Sequence, residues 1–136
     1  MERLGLGAAV MMEANPRLIY ASGTGYGLSG PDKDNLAMDL TVQAVGGVMS
    51  INGPEDGPPL KAGLAICDFL GAVHLYAGIA TALFERERTG IGRLVEVAMQ
   101  EALYPALASN IASLQRNNWQ QPARRGNLHP TQGSAP

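Results

Sequence analysis

Between Phe69 and Phe84 the chain is apolar apart from His74, Thr81 and a few glycine and alanine positions. A helix that is apolar nearly all round has two destinations, a bilayer or the interior of a folded protein. The run falls short of the roughly 20 residues needed to cross a bilayer and is interrupted by an imidazole. The interior is therefore expected, and no membrane partner. A long buried helix at the centre is the constraint that every other segment has to satisfy.

Those other segments read as follows. Met1 to Ala14 carries Leu4, Leu6, Val10 and Met11 at near-helical spacing and stops at Asn15-Pro16. Arg17 to Ser22 is short, apolar and partly β-branched or aromatic, which predicts a buried strand. A glycine-rich loop runs from Gly23 to Pro31. Asp34 is placed to cap a helix whose apolar positions Leu36, Leu40, Ala44, Val45 and Val48 follow a 3.6 period and which ends near Gly53-Pro54. Gly53 to Pro59 forms a polar turn, and Leu60 to Ile66 is apolar except for Lys61. Asp68 is read as lying directly before the long helix, which closes on a charged last turn and Gly90. Leu94 to Met99 predicts a second strand. A final helix puts Leu103, Leu107, Ile111 and Leu114 on one face, with Pro105 in its first turn. Residues 1–116 thus form one α/β segment, and residues 117–136 an extended polar tail that needs a partner surface to be ordered.

Strands alternating with helices predict an α/β arrangement with a partial parallel sheet and covering helices. Two or three strands are few for it. A parallel sheet has to be covered on both faces, so the remaining strands are expected from elsewhere, as in a fragment of a larger domain. The 136 residues suit one compact domain, and 46% hydrophobic with 16% charged residues excludes disorder for most of it. Ten Lys plus Arg against twelve Asp plus Glu give a net charge of -2, no footprint for a phosphate backbone, so nucleic acid is not expected as a partner. Cys67 is the single cysteine and no signal segment is visible, which points to a cytoplasmic, reducing compartment.

The candidate chemistry is sparse. Gly25-x-Gly27-x-x-Gly30 spells a dinucleotide fingerprint after a strand, but Pro31-Asp32-Lys33-Asp34 intervenes where the helix should open and brings carboxylates to the phosphate position. A glycine turn is expected instead. His74 has no second ligand at helical spacing, so no metal site is expected and a packed core histidine is. Cys67 is expected to be a buried, inert thiol. Asp68 holds the most promise, since N–H donors and the helix dipole favour an ionised carboxylate at a helix start; a plain N-cap and a reactive group both fit that placement. Asp39, in the first turn or two of its own helix, has the same two readings.

Longer stretches carry a resemblance. Met1-Glu2-Arg3-Leu4-Gly5-Leu6, Asn15 to Ser22, the loop Gly25-Tyr26-Gly27 with Gly30-Pro31, Asp39-Leu40 with Gln43-Ala44 and Gly46-Gly47, Asp56-Gly57-Pro58-Pro59, Asp68, Glu85 to Gly90 with Gly92-Arg93, Val95 to Met99, and Gly126 to Pro130 with Ala135-Pro136 keep one order and spacing. Together they resemble the class III CoA-transferases, the CaiB and BaiF family. The resemblance covers nearly the whole chain. It implies a truncated, central part of a family member, lacking an upstream CoA-binding segment and a downstream domain with a glycine loop.

What the resemblance implies for chemistry is specific. The aspartate aligned with Asp68 is the nucleophile that moves CoA from an acyl-CoA to a carboxylic acid through an aspartyl-CoA thioester. Arg3 and Leu4 match positions that contact CoA, and Asp39 matches an acidic residue near the reacting carbonyl. Leu36 and Met38 depart from the transferases, which carry a basic and an aromatic residue there. The racemase branch has a histidine at the Met38 position, and a thioether cannot exchange protons, so racemisation is disfavoured. CoA thioester is implied as substrate with no permanently bound cofactor, and family members pair as interlocked chains. The alternative is a catalytically silent CoA-binding or self-association module. A homo-oligomer is expected, because apolar faces left uncovered would exceed what a monomer tolerates.

Overall fold

The computed structural model describes residues 1–126, so the parts of the resemblance on Asn127, Leu128, His129, Pro130 and Ala135-Pro136 lie outside the described residues. Two strands, β1 (Tyr20–Thr24) and β2 (Leu94–Ala98), pair in parallel from Tyr20 opposite Leu94 to Thr24 opposite Ala98. Between them the chain forms α2 (Asp39–Val45), α3 (Val48–Ile51) and the 24-residue α4 (Ile66–Thr89), after a short α1 (Ala8–Ala14). α5 (Met99–Leu103) and α6 (Ala108–Arg116) follow β2. The α/β class and the parallel pairing are as the alternation of elements predicts. Only two strands form among the described residues, because Leu60 to Ala65 runs as irregular chain, tied back by Leu60 N–H to the Asn52 carbonyl at 3.0 Å.

α4 lies on the sheet through its small residues. A Cβ at Gly78 would stand 2.7 Å from Cγ1 of Val95 on β2, and Leu75 reaches the backbone of Gly23 on β1. Gly71, Leu75, Gly78 and Ala82 recur at helical spacing on one side of α4; Leu75 and Gly78 meet the sheet, and Gly71 meets Met99 of α5. The opposite face is uncovered: Phe69 is 71% exposed, Tyr76 74% and Phe84 69%, and of the whole helix only Cys67, Gly71 and Ala82 are buried. This corrects the expectation of a helix buried all round, since a two-stranded sheet is too narrow to cover more than one face. His74 is likewise exposed, its Nδ1 2.8 Å from the Leu70 carbonyl one turn back, and is no core histidine. The argument from length also falls. Charged turns extend the apolar run into a helix long and apolar enough to cross a membrane by length and composition.

The buried centre gathers around the start of α4. Val42, Val48, Cys67 and Leu103 form it, with Tyr26, Ala37, Ile66, Leu70, Met99 and Leu107 packed around. Several boundaries differ from the sequence reading for local reasons. Asp34 does not cap a helix; Asp32 to Asn35 closes a turn, and α2 begins only at Asp39, where Thr41 Oγ1 accepts the Met38 N–H at 2.9 Å. The predicted helix up to Gly53 breaks at Gly46-Gly47, where Gly47 takes a φ of 90°, open to glycine at little cost. Pro105, lacking an N–H, divides the final helix by a 3-10 turn over Tyr104–Leu107. β1 starts later than predicted and runs into the glycine loop. After α6, Arg124 reaches back to the carbonyls of Pro54 and Gly57 in the proline turn.

Candidate active site

The first turn of a helix leaves backbone N–H groups without intrahelical partners, and α4 has no help from its own N-cap, Ala65. The partner comes from α2. Asp39 Oδ2 accepts the N–H of Cys67 at 2.7 Å and that of Asp68 at 3.2 Å, so a carboxylate on one helix caps another. Its other oxygen, Oδ1, accepts a hydrogen bond from Gln43 Nε2, one turn further along α2. Gln43 is 1% exposed; it also donates to the Leu64 carbonyl at 3.2 Å and accepts the Ala62 N–H at 2.8 Å. The chain entering and opening α4 is thereby stitched to α2 by four hydrogen bonds, at Ala62, Leu64, Cys67 and Asp68.

Asp68 stands inside that first turn rather than before it, with its side chain exposed. Neighbouring Cys67 is fully buried, and its thiol is pushed up to about 11, first by burial and then by the negative charges of Asp39 and Asp68. It is a protonated, inert group at neutral pH, as its apolar surroundings predict. Two clefts, of about 470 Å³ beside Ser50, Ile111 and Arg125 and about 490 Å³ beside Arg17, Ile79 and Arg86, do not include Asp68. Among the described residues no cluster of His, Cys, Asp and Glu could hold a metal ion.

The structure brings Met38, Asp39 and Asp68 to one end of α4, with Met38 73% exposed immediately before α2. Arg3 and Leu4 are elsewhere, in an exposed 3-10 turn over Glu2–Leu4, and neither bonds to Asp39 or Asp68. Leu36 is almost fully exposed. The glycine loop is a tied turn: Gly27, at φ 98°, donates its N–H to Thr24 Oγ1 at 2.8 Å, and Leu28 N–H bonds to the carboxylate of Glu96 on β2. Gln43 and Glu96 thus have structural partners at which sequence reasoning assigned them no role. A signal existed for Gln43, which stands four residues after Asp39 on one helix face.

Comparison with known proteins agrees with this fold. The sequence profile of CoA-transferase family III matches residues 1–136. The chain is 40% identical over 131 residues to an acetyl-CoA:oxalate CoA-transferase of Acetobacter aceti, covering 96% of this chain and 33% of that protein. It is 38% identical over 135 residues to a succinyl-CoA:mesaconate CoA-transferase of Haloarcula hispanica, covering 96% of this chain and 34% of that one. It superposes on the crystal structure of a CaiB/BaiF family protein from Brucella suis with a TM-score of 0.83 at 35% identity, covering 95% of this chain and 34% of the other. The chain therefore spans about a third of the length of the relatives it matches. Sequence profile, relatives and fold coincide, and the chain belongs to CoA-transferase family III.

Proposed function

We propose that these residues are the central, nucleophile-bearing segment of a transferase that moves CoA between an acyl-CoA and a dicarboxylic acid. The names of its relatives, with oxalate, mesaconate and glutarate, support that acid class. The observation that carries the reading is the exposed Asp68 in the first turn of α4, its backbone held by Asp39. An Asp68 oxygen attacks the thioester carbonyl and CoA thiolate leaves, giving a mixed anhydride. The thiolate then attacks the Asp68 carbonyl and expels the acyl group as its carboxylate, leaving an aspartyl-CoA thioester. The acceptor carboxylate attacks that thioester in turn, releasing thiolate and forming a second anhydride. Thiolate adds to the acceptor's carbonyl and restores Asp68. A covalent carboxylate splits one difficult transfer into easier steps, and positive helix-end charge favours the anion that begins each cycle.

CoA thioester is the substrate in this reading, with Arg3, Leu4 and Met38 on the side of CoA and Asp39 beside the reacting carbonyl. Free thiol chemistry and the unpaired Cys67 suit a reducing cytoplasm. The non-catalytic alternative is a module that self-associates, which the uncovered apolar face of α4 favours. Incubating the chain with acetyl-CoA or succinyl-CoA, then hydroxylamine, should leave a hydroxamate on Asp68 detectable by mass spectrometry. Asp68→Asn should abolish it with the fold intact, because this side chain is exposed. Label on Cys67, or unchanged labelling in Asp68→Asn, would overturn the assignment.

A further inference from the structure

We infer that Gln43 is the positioning residue of this site: its buried amide orients the Asp39 carboxylate, which sets the first-turn backbone from which Asp68 projects. The inference rests on the reading of Asp68 as nucleophile for its functional meaning, but its geometry stands apart from it.

Gln43 is the buried polar side chain among the described residues, at 1% exposure, where methionine would fill about the same volume without a polar group. Burying an amide is unfavourable unless its hydrogen bonds are made. Here both N–H groups and the oxygen are used, on Asp39, the Leu64 carbonyl and the Ala62 N–H. Each partner matters to α4. Ala62 and Leu64 belong to the chain that leads into the helix. Asp39 has two oxygens that could exchange places by a half-turn of the carboxylate; with Oδ1 held by Gln43, Oδ2 is the one aimed at the Cys67 and Asp68 N–H groups. Without the amide, a free carboxylate at the edge of water would hold those N–H groups only part of the time. The helix start would then fray, and the side chain that leaves from residue 68 would lose its direction.

The charged group bonded to Gln43 is Asp39 on its own helix, and Asp39 in turn holds the backbone of Cys67 and Asp68, the titratable residues at the start of α4; Lys61, beside Ala62, turns its ammonium to the Ala62 carbonyl at 3.4 Å. That setting makes Gln43→Glu informative. Ionised, the new carboxylate repels Asp39. Once the pair shares a proton, the protonated form donates to Asp39 and still accepts the Ala62 N–H. A residue that served only to fill space would show no such recovery.

The experiment is backbone hydrogen exchange of the full chain, corrected for intrinsic rates and followed at the Cys67 and Asp68 amides, with hydroxylamine trapping at Asp68 measured in parallel. Gln43→Met should speed exchange at those two amides by about tenfold or more, the loss of one charge-assisted hydrogen bond, while the β1–β2 amides keep their protection. Gln43→Glu should exchange fast at high pH and regain protection as pH falls, with trapping yield following the same curve. Unchanged protection in Gln43→Met, or no recovery in Gln43→Glu should Gln43→Met fail to fold, overturns the inference. Absence of any Asp68 adduct in the unsubstituted chain, with exchange behaving as described, overturns the catalytic reading and leaves the orienting geometry standing.

Discussion

A carboxylate that accepts two N–H groups at a helix start satisfies donors that otherwise face water, and Asp39 does so for α4 from a helix 28 residues earlier. Asp39→Ala should therefore destabilise the chain by about 1–2 kcal/mol, the usual cost of losing such a cap, read from urea midpoints, with Asp39→Asn falling between. The same charge contributes to the high pKa of Cys67, and the sign of its effect on stability follows. The folded thiol ionises near 11 and the ordinary value is 9.0. Below pH 9 both states are protonated and the contribution is complete. Between pH 9 and 11 the unfolded chain ionises first, so stability falls as pH rises. Comparing the protein with Cys67→Ala across that window isolates the term, and identical slopes would refute it. At this scale the sequence was partly legible. Asp39 and Asp68 could be picked out as carboxylates at helix starts. Their union could not, because it depends on two distant segments docking and on Gln43, which by type alone reads as a solvent-facing polar residue.

Among the elements, α4 shows how a single sequence pattern serves two faces differently. Its contact with the sheet is a matter of missing side chains. Gly78→Ala would push a methyl against Val95, a β-branched neighbour with little freedom, and should cost about 1–3 kcal/mol less whatever helix propensity returns. Gly71→Ala meets Cγ of Met99 at 3.0 Å, the flexible part of an unbranched side chain, and should be near neutral or stabilising. Thermal unfolding of the two variants checks the contrast; equal losses would mean that helix propensity, not approach to β2, governs both positions. The long helix, the two strands and the stop at Gly90 were legible because periodicity and backbone chemistry are local; the division of the final helix at Pro105 was not, since a proline suits a first helical turn as well as a break. The starts of α2 and β1 were not, since a Thr41 hydroxyl and the pull of β2 on the glycine loop decide them.

For the molecule as a whole, the outer face of α4 is the dominant surface. Phe69, Tyr76 and Phe84, each about 70% exposed, together present roughly 400 Å² of ring surface, given 150–250 Å² for each such side chain. That is as much as a soluble monomer commonly leaves uncovered. We expect the chain to self-associate at micromolar concentration, and Val73→Lys with Tyr76→Lys to return it to a monomer. Sedimentation velocity reads the difference, and a monomer before substitution would count against the idea. Composition promised a chain able to bury a core; it did not reveal that the buried centre would gather around Val42, Cys67 and Leu103 at the start of α4, while the most apolar helix kept one side open. The parallel strand pair has a consequence for the order in which a ribosome delivers this protein. After β1 is made, its partner β2 follows only once α2, α3 and α4 have been translated. At about 5–20 residues per second, β1 waits several seconds for the edge that β2 supplies, an interval in which a nascent chain depends on a chaperone's protection.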